Sequence, residues 1–216
     1  MNRIDLHRAG LQAGWIAGAL FAVSLLVIAA ATPGYEHAYA PVSFLGMRGA
    51  ALAPWWNLLG FGVPGLLVAW FALAVQRPLH AAGTGSVARI GTWLLLVSGL
   101  AFAGNGVFAF DPRDTDGTST RLHVAMLTVA LLGFLPATAM FAAALRRIAG
   151  WRLLSTAGLL LGLATLLSVL QRMADVVPGL QDHPGYAQRV TLALYFLWLA
   201  LAARVALRQA GAPAGG

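Results

Sequence analysis

Six apolar runs, each bounded by polar or charged positions, take up most of the 216-residue chain. They fall at about 12–31, 56–75, 89–110, 122–145, 153–170 and 190–207. At ~20 residues per crossing, each is long enough to traverse the hydrocarbon of a bilayer. Each must then be a helix, because lipid offers free backbone groups no hydrogen-bond partner. The expected fold is an all-α integral membrane protein, with one six-helix transmembrane domain over 1–216. A cleaved signal peptide is the competing reading of the first run, with Ala38-Tyr39-Ala40 as small cleavage-site residues. The run is longer than a usual signal core, so it is taken as a retained helix. Pro33-Gly34-Tyr35 recurs as Pro184-Gly185-Tyr186, but three residues do not make a repeat.

Glycine and proline modify this picture locally. Gly14 and Gly18 in the first run, and Gly158 and Gly162 in the fifth, are spaced for close helix approach. Gly60, Gly62, Pro64 and Gly65 predict a kinked or loosened second helix, and Pro136 a bend in the fourth.

Composition supports the membrane reading: 59% of residues are hydrophobic and 10% charged, well outside the range of soluble domains. Cysteine is absent, which removes disulfides, thiolate metal sites and cysteine nucleophiles together. All basic residues are arginine, and the formal charge is +7. In a soluble protein this would suggest nucleic acid. Arginines that flank apolar helices instead point to membrane lipids with anionic headgroups as partners. Self-association into a homo-oligomer is left open.

Charge also orients the chain. With the N-terminus cytoplasmic, Arg3, Arg8, Arg77, Arg89, Arg146, Arg147, Arg152, Arg204 and Arg208 lie inside. Arg48, Arg113, Arg121, Arg172 and Arg189 lie outside, so the positive-inside rule places both termini in the cytoplasm. Among the acids only Asp5 is inside. Trp15, Trp93 and Trp151 are expected near the inner interface, and Trp55 and Trp56 near the outer one. The longer outer connections, 32–55, 111–121 and 173–189, carry most of the polar chemistry.

Side chains from several helix ends are candidates for one outward-facing pocket. Arg48, Asn57, Asn105, Arg172, Gln188 and Arg189 are the candidate ligand-binding residues, since polar groups at membrane level are costly without a partner. Arg172 and Arg189 suit a lipid phosphate or carboxylate, because guanidinium offers a planar fork of donors. Ion pairs with Asp175, Asp182 or Asp111 are the structural alternative. Asp111 and His123 flank a tight loop and are placed to face each other. A carboxylate beside an imidazole can orient a general base or complete a metal site. His37 and His183 are further candidate ligands for zinc, although no HxxxH or HExxH spacing occurs. The bland alternative is a helix-end carboxylate and a solvated histidine. The loop around Asp114 and Asp116 fails the calcium-loop pattern, with Pro112 first and His123 twelfth. Gly83-Thr84-Gly85-Ser86 lacks the lysine of a nucleotide-cradling loop, and no opposed histidines lie within the spans to hold haem.

Pro41-Val42-Ser43-Phe44-Leu45-Gly46 followed by Pro54-Trp55-Trp56-Asn57-Leu58-Leu59-Gly60-Phe61 resembles the first outer loop and second helix of the domain-of-unknown-function 998 family. These are six-helix membrane proteins of bacteria and archaea. Gly106-Val107-Phe108, then Phe110-Asp111-Pro112, His123, and Gly185-Tyr186-Ala187-Gln188-Arg189 with Trp198 beyond extend the likeness over nearly the whole chain. The family pattern has Phe-Pro where this chain has Phe110-Asp111-Pro112, so Asp111 and Asp114 both stand as the equivalent carboxylate. The resemblance implies a fold, a topology and a bacterial inner-membrane location, and no reaction. It also invites comparison with six-helix proteins of lipid remodelling and autophagy, and with seven-helix zinc hydrolases such as alkaline ceramidases. In that comparison Ser43, Asp111 and His123 are the candidate catalytic residues. The chain lacks the HxxxH pair and a seventh helix, so this is analogy alone.

Three functions follow as expectations. The first is binding or handling of a lipid or other amphiphile in an outward-facing pocket. The second is an intramembrane metal-dependent hydrolase, and the third a small transporter or assembly partner.

Overall fold

The computed structural model describes residues 3–174 and 182–211, with the side chains of residues 3 and 172–174 outside that description. All six expected crossings are helices, and all are long and apolar enough to span a membrane. They are α1 (Arg3–Ala30), α2 (Ala53–Ala81), α3 (Gly85–Val107), α4 (Thr118–Leu145), α5 (Arg152–Ala174) and α6 (Pro184–Ala210). The chain is a multi-pass membrane protein.

Most helices extend beyond their apolar runs. Hydropathy marks what lies in hydrocarbon, whereas a helix continues into the interface until proline, glycine or an extended residue stops it. Pro184 opens α6 at a position where its missing N–H costs nothing. Gly117, with ψ 154°, opens α4. Phe108, at φ −97° and ψ 90°, ends α3 before the expected residue 110. The short turns at the opposite end need left-handed backbone, supplied by Gly83 (φ 69°) and Gly150 (φ 80°).

Consecutive helices pack side by side, and α6 returns against α1 to close a ring. The start of α1 and the end of α6 lie at the end with the short turns, where Gln209 Nε2 donates to the Gly150 carbonyl (3.1 Å). The first loop, the α3–α4 loop and the start of α6 form the opposite, polar end.

Aromatic side chains fill the centre. Tyr195 of α6 stacks on Phe102 of α3 (5.7 Å between ring centres) and packs on Phe134 of α4 (4.5 Å). Its hydroxyl lies 3.1 Å from Ser98 Oγ, so a polar atom in the core is satisfied. Phe196 stacks on Phe21 of α1 (4.9 Å), and Trp198 sits edge-on to Phe134 and Phe141. Leu160, Leu163 and Leu167 of α5 are exposed, as lipid-facing residues should be.

Two expectations about packing need correction. Trp151 and Trp56 are wholly buried rather than set in an interfacial belt; Trp15, Trp55 and Trp93 stay exposed, with Trp15 midway along α1 rather than near its inner end. Gly14, Gly18, Gly158 and Gly162 make room mainly for side chains: Phe71, Phe196, Trp198 and Thr138 respectively. The close backbone approach occurs instead between Gly65 of α2 and Gly99 of α3, where each faces the other's carbonyl oxygen. Small residues there let two helix backbones touch.

The loosened second helix takes a specific form. Asn57–Gly62 is a π-helical stretch, in which the Val63 N–H donates to the Leu58 carbonyl five residues back. Pro64 has no N–H to give to Gly60, so the regular ladder is already broken here. By contrast, α4 runs through Pro136 as one helix.

Candidate functional site

Two polar clusters form at the same end of the bundle. The first is built by the α3–α4 loop. Asp111 leaves α3 and is tied to α4 by Thr120, whose Oγ1 accepts from the Asp111 N–H (3.0 Å) and donates to the Asp114 carbonyl (3.0 Å). The Asp111 carboxylate accepts from the Arg113 N–H (3.0 Å) and pairs with Arg48 Nε at 3.5 Å. Arg48 is largely exposed, so this pair contributes no more than ~1 kcal/mol. Its backbone N–H also donates to the Phe110 carbonyl (2.8 Å), joining the first loop to the α3–α4 loop.

His123 does not meet Asp111. It lies just over a turn inside α4, buried between the rings of Phe61 and Phe110, and Nδ1 donates to the Phe108 carbonyl (2.8 Å). A carbonyl can only accept, so the proton sits on Nδ1. Ser43 is half-buried in a 3₁₀ turn, Val42–Gly46, and no hydrogen bond joins it to Asp111 or His123. Asn57 Nδ2 donates to the Gly46 carbonyl (3.0 Å). Asn105 is fully buried; its Nδ2 donates to the Ala101 carbonyl (3.2 Å), and its Oδ1 has no partner.

The second cluster joins the first loop to α6. Gln188 Oε1 accepts from the Val42 N–H at 2.7 Å within the protein interior. Removing that acceptor with Gln188→Leu strands a buried donor, which costs ~1–3 kcal/mol. A thermal melt in detergent should show this loss; an unchanged midpoint would mean that Val42 finds another acceptor.

Arg189 is the centre of this cluster. Nη1 donates to the carbonyls of Gly185 (2.7 Å) and Ala40 (3.1 Å), and Nη2 donates to Tyr35 Oη. Burial pushes the Tyr35 phenol above its ordinary value, with Arg189 pulling it partly back. Tyr35 is therefore neutral at physiological pH and gives Arg189 no counter-charge. Among the described residues no carboxylate pairs with Arg189, Asp182 and Asp111 included. Asp175 and the Arg172 side chain lie outside the described residues.

The guanidinium still has unused donors. Among the described residues Nε is buried without a partner, and Nη2 carries a second hydrogen besides the one given to Tyr35. A guanidinium with donors to spare suits a carboxylate or phosphate. Arg189 also lines a groove of about 500 Å³ between α1 and α6, whose other walls include Gly18, Phe21, Leu25, Ala193 and Phe196.

The four candidate metal ligands divide between the clusters. His37 packs against Tyr35, and His183 stacks between Tyr39 and Tyr186, away from Asp111 and His123. Among the described residues no three His, Asp or Glu side chains converge. Sequence reasoning missed Tyr35 and the α1–α6 groove. The second Pro-Gly-Tyr segment packs on the first loop a few residues beyond Tyr35, with the Gly185 N–H donating to the Ala38 carbonyl (2.9 Å).

The fold and its polar end define a class: six-helix membrane proteins with a loop-covered cluster at one end. Within that class, residues 15–205 match the family model described as protein of unknown function (DUF998), and the chain belongs to that family. No curated protein and no solved structure matches it.

Proposed function

We propose that the protein binds an anionic lipid or related amphiphile, with an acyl chain in the α1–α6 groove and the headgroup at Arg189. The observation that carries this reading is an arginine with no carboxylate partner among the described residues, at the end of an apolar groove. A guanidinium near hydrocarbon without a counter-ion is costly, and an anion with an attached apolar tail relieves both problems at once. On the arginine distribution, both termini are cytoplasmic and the Arg189 end faces outward from a bacterial inner membrane.

The test is native mass spectrometry of protein exchanged into phosphatidylglycerol or phosphatidylcholine. Wild-type protein should retain phosphatidylglycerol, and Arg189→Gln should lower its occupancy about tenfold, equivalent to ~1.4 kcal/mol. Equal retention by both proteins would overturn the assignment of Arg189. Because Arg189 also braces the first loop, Tyr35→Phe serves as a control that disturbs the brace and keeps the charge.

A further inference from the structure

The α1–α6 groove does not stop at its Arg189 compartment. A second hollow, of about 650 Å³, shares Trp15, Leu197 and Ala200 with the first and continues to Leu201, Arg204 and Arg208. The seam between α1 and α6 is thus one apolar track with a cation at each end. Arg204 and Arg208 are four residues apart and so lie on one helix face. Among the described residues neither has a carboxylate partner.

Length shows what fits. At ~1.5 Å per residue, Arg189 lies ~16 Å along α6 from Ala200, and Leu197 lies ~16 Å from Arg208. Half the hydrocarbon thickness of a bilayer is ~15 Å. Each compartment therefore matches the depth of one leaflet, and the two meet at Trp15, Leu197 and Ala200.

The geometry points to a second anionic lipid, from the opposite leaflet, seated with its headgroup at Arg204 and Arg208 and its tail toward Trp15. The seam holds two lipids tail to tail. For the first occupant this inference rests on the lipid reading of the Arg189 compartment. The walls between Arg189 and Arg204 are apolar, which favours two seated lipids over passage of a headgroup along the track.

The test counts phosphatidylglycerol molecules per chain by native mass spectrometry. Wild type should retain two; Arg204→Gln combined with Arg208→Gln should retain one, and Arg189→Gln one. Leu201→Trp, which narrows only the second compartment and leaves every charge in place, should also retain one. Three outcomes overturn the inference: one lipid on wild type that Arg189→Gln removes, two lipids on both the double variant and Leu201→Trp, or equal retention of phosphatidylcholine. The first of these leaves the Arg189 reading intact. A single wild-type lipid lost only in the double variant would instead sink the Arg189 reading and keep the second site. No retained lipid on wild type is a fourth such outcome, and it overturns both readings.

Discussion

Gly65→Val should leave no cooperatively folded bundle. A Cβ at residue 65 would lie 2.6 Å from the Gly99 carbonyl oxygen and closer still to the Ala103 amide nitrogen. Both obstacles are backbone, so no rotamer change relieves them. The reverse face is as tight, since a Cβ at Gly99 would lie 2.6 Å from the Ala69 nitrogen. Helices α2 and α3 would have to separate along their whole seam, and the π-helical stretch of α2 packs on α3 nearby, where Asn57 faces Gly106. The cost is at or above the ~3 kcal/mol upper range for overpacked cores. Thermal melting followed by size-exclusion in detergent should show aggregated or heterogeneous protein. Gly158→Ala is the comparison: its Cβ would meet Leu154 Cδ1 and Trp198 Nε1 at 3.1 Å, both side-chain atoms that can shift. It should melt within a few degrees of wild type. A Gly65→Val protein that melts normally would mean that α2 and α3 do not approach as closely as this.

The second large effect is expected at Trp198. Its ring is wholly buried against Phe134 and Phe141, at 5.5 and 5.4 Å between centres. In a soluble protein, truncation of a buried Trp to Ala costs ~3–5 kcal/mol. Part of that figure is transfer from water, which is absent when the separated helices already sit in lipid. Lost packing remains, and Trp198→Ala should cost ~2 kcal/mol in reversible denaturation from mixed micelles. Trp198→Phe should cost clearly less, because it also removes an indole N–H that is buried without a partner. If Phe were as damaging as Ala, that N–H would be engaged, for instance by a buried water, and the packing account would fail.

Some of the site was legible before the fold. Arg189 and Gln188 stood out as polar residues at the mouth of an apolar helix, and both are engaged with the first loop. Asn57 and Asn105 were singled out on the same ground, and both are held by backbone carbonyls of their own surroundings. Asp111 and His123 read as a pair because they flank one loop. They are not one, since the helical turns after Thr118 carry His123 inward while Asp111 stays in the loop with Arg48. Proximity along the chain predicts proximity of backbone, and the direction of a side chain depends on where the helix begins.

What the amino-acid order determined alone is the six-helix membrane class. Hydrocarbon imposes helices ~20 residues long, and composition records that demand without reference to any neighbour. The tertiary structure alone decided which faces meet. Helix association in lipid depends on shape and on small residues rather than on hydropathy, so the pattern that locates a span says little about its partner. The Gly65–Gly99 contact, the closure of α6 on α1, and the groove that runs from Arg189 to Arg208 all arise from that packing. Each joins residues far apart in the chain, and only the folded bundle brings them together.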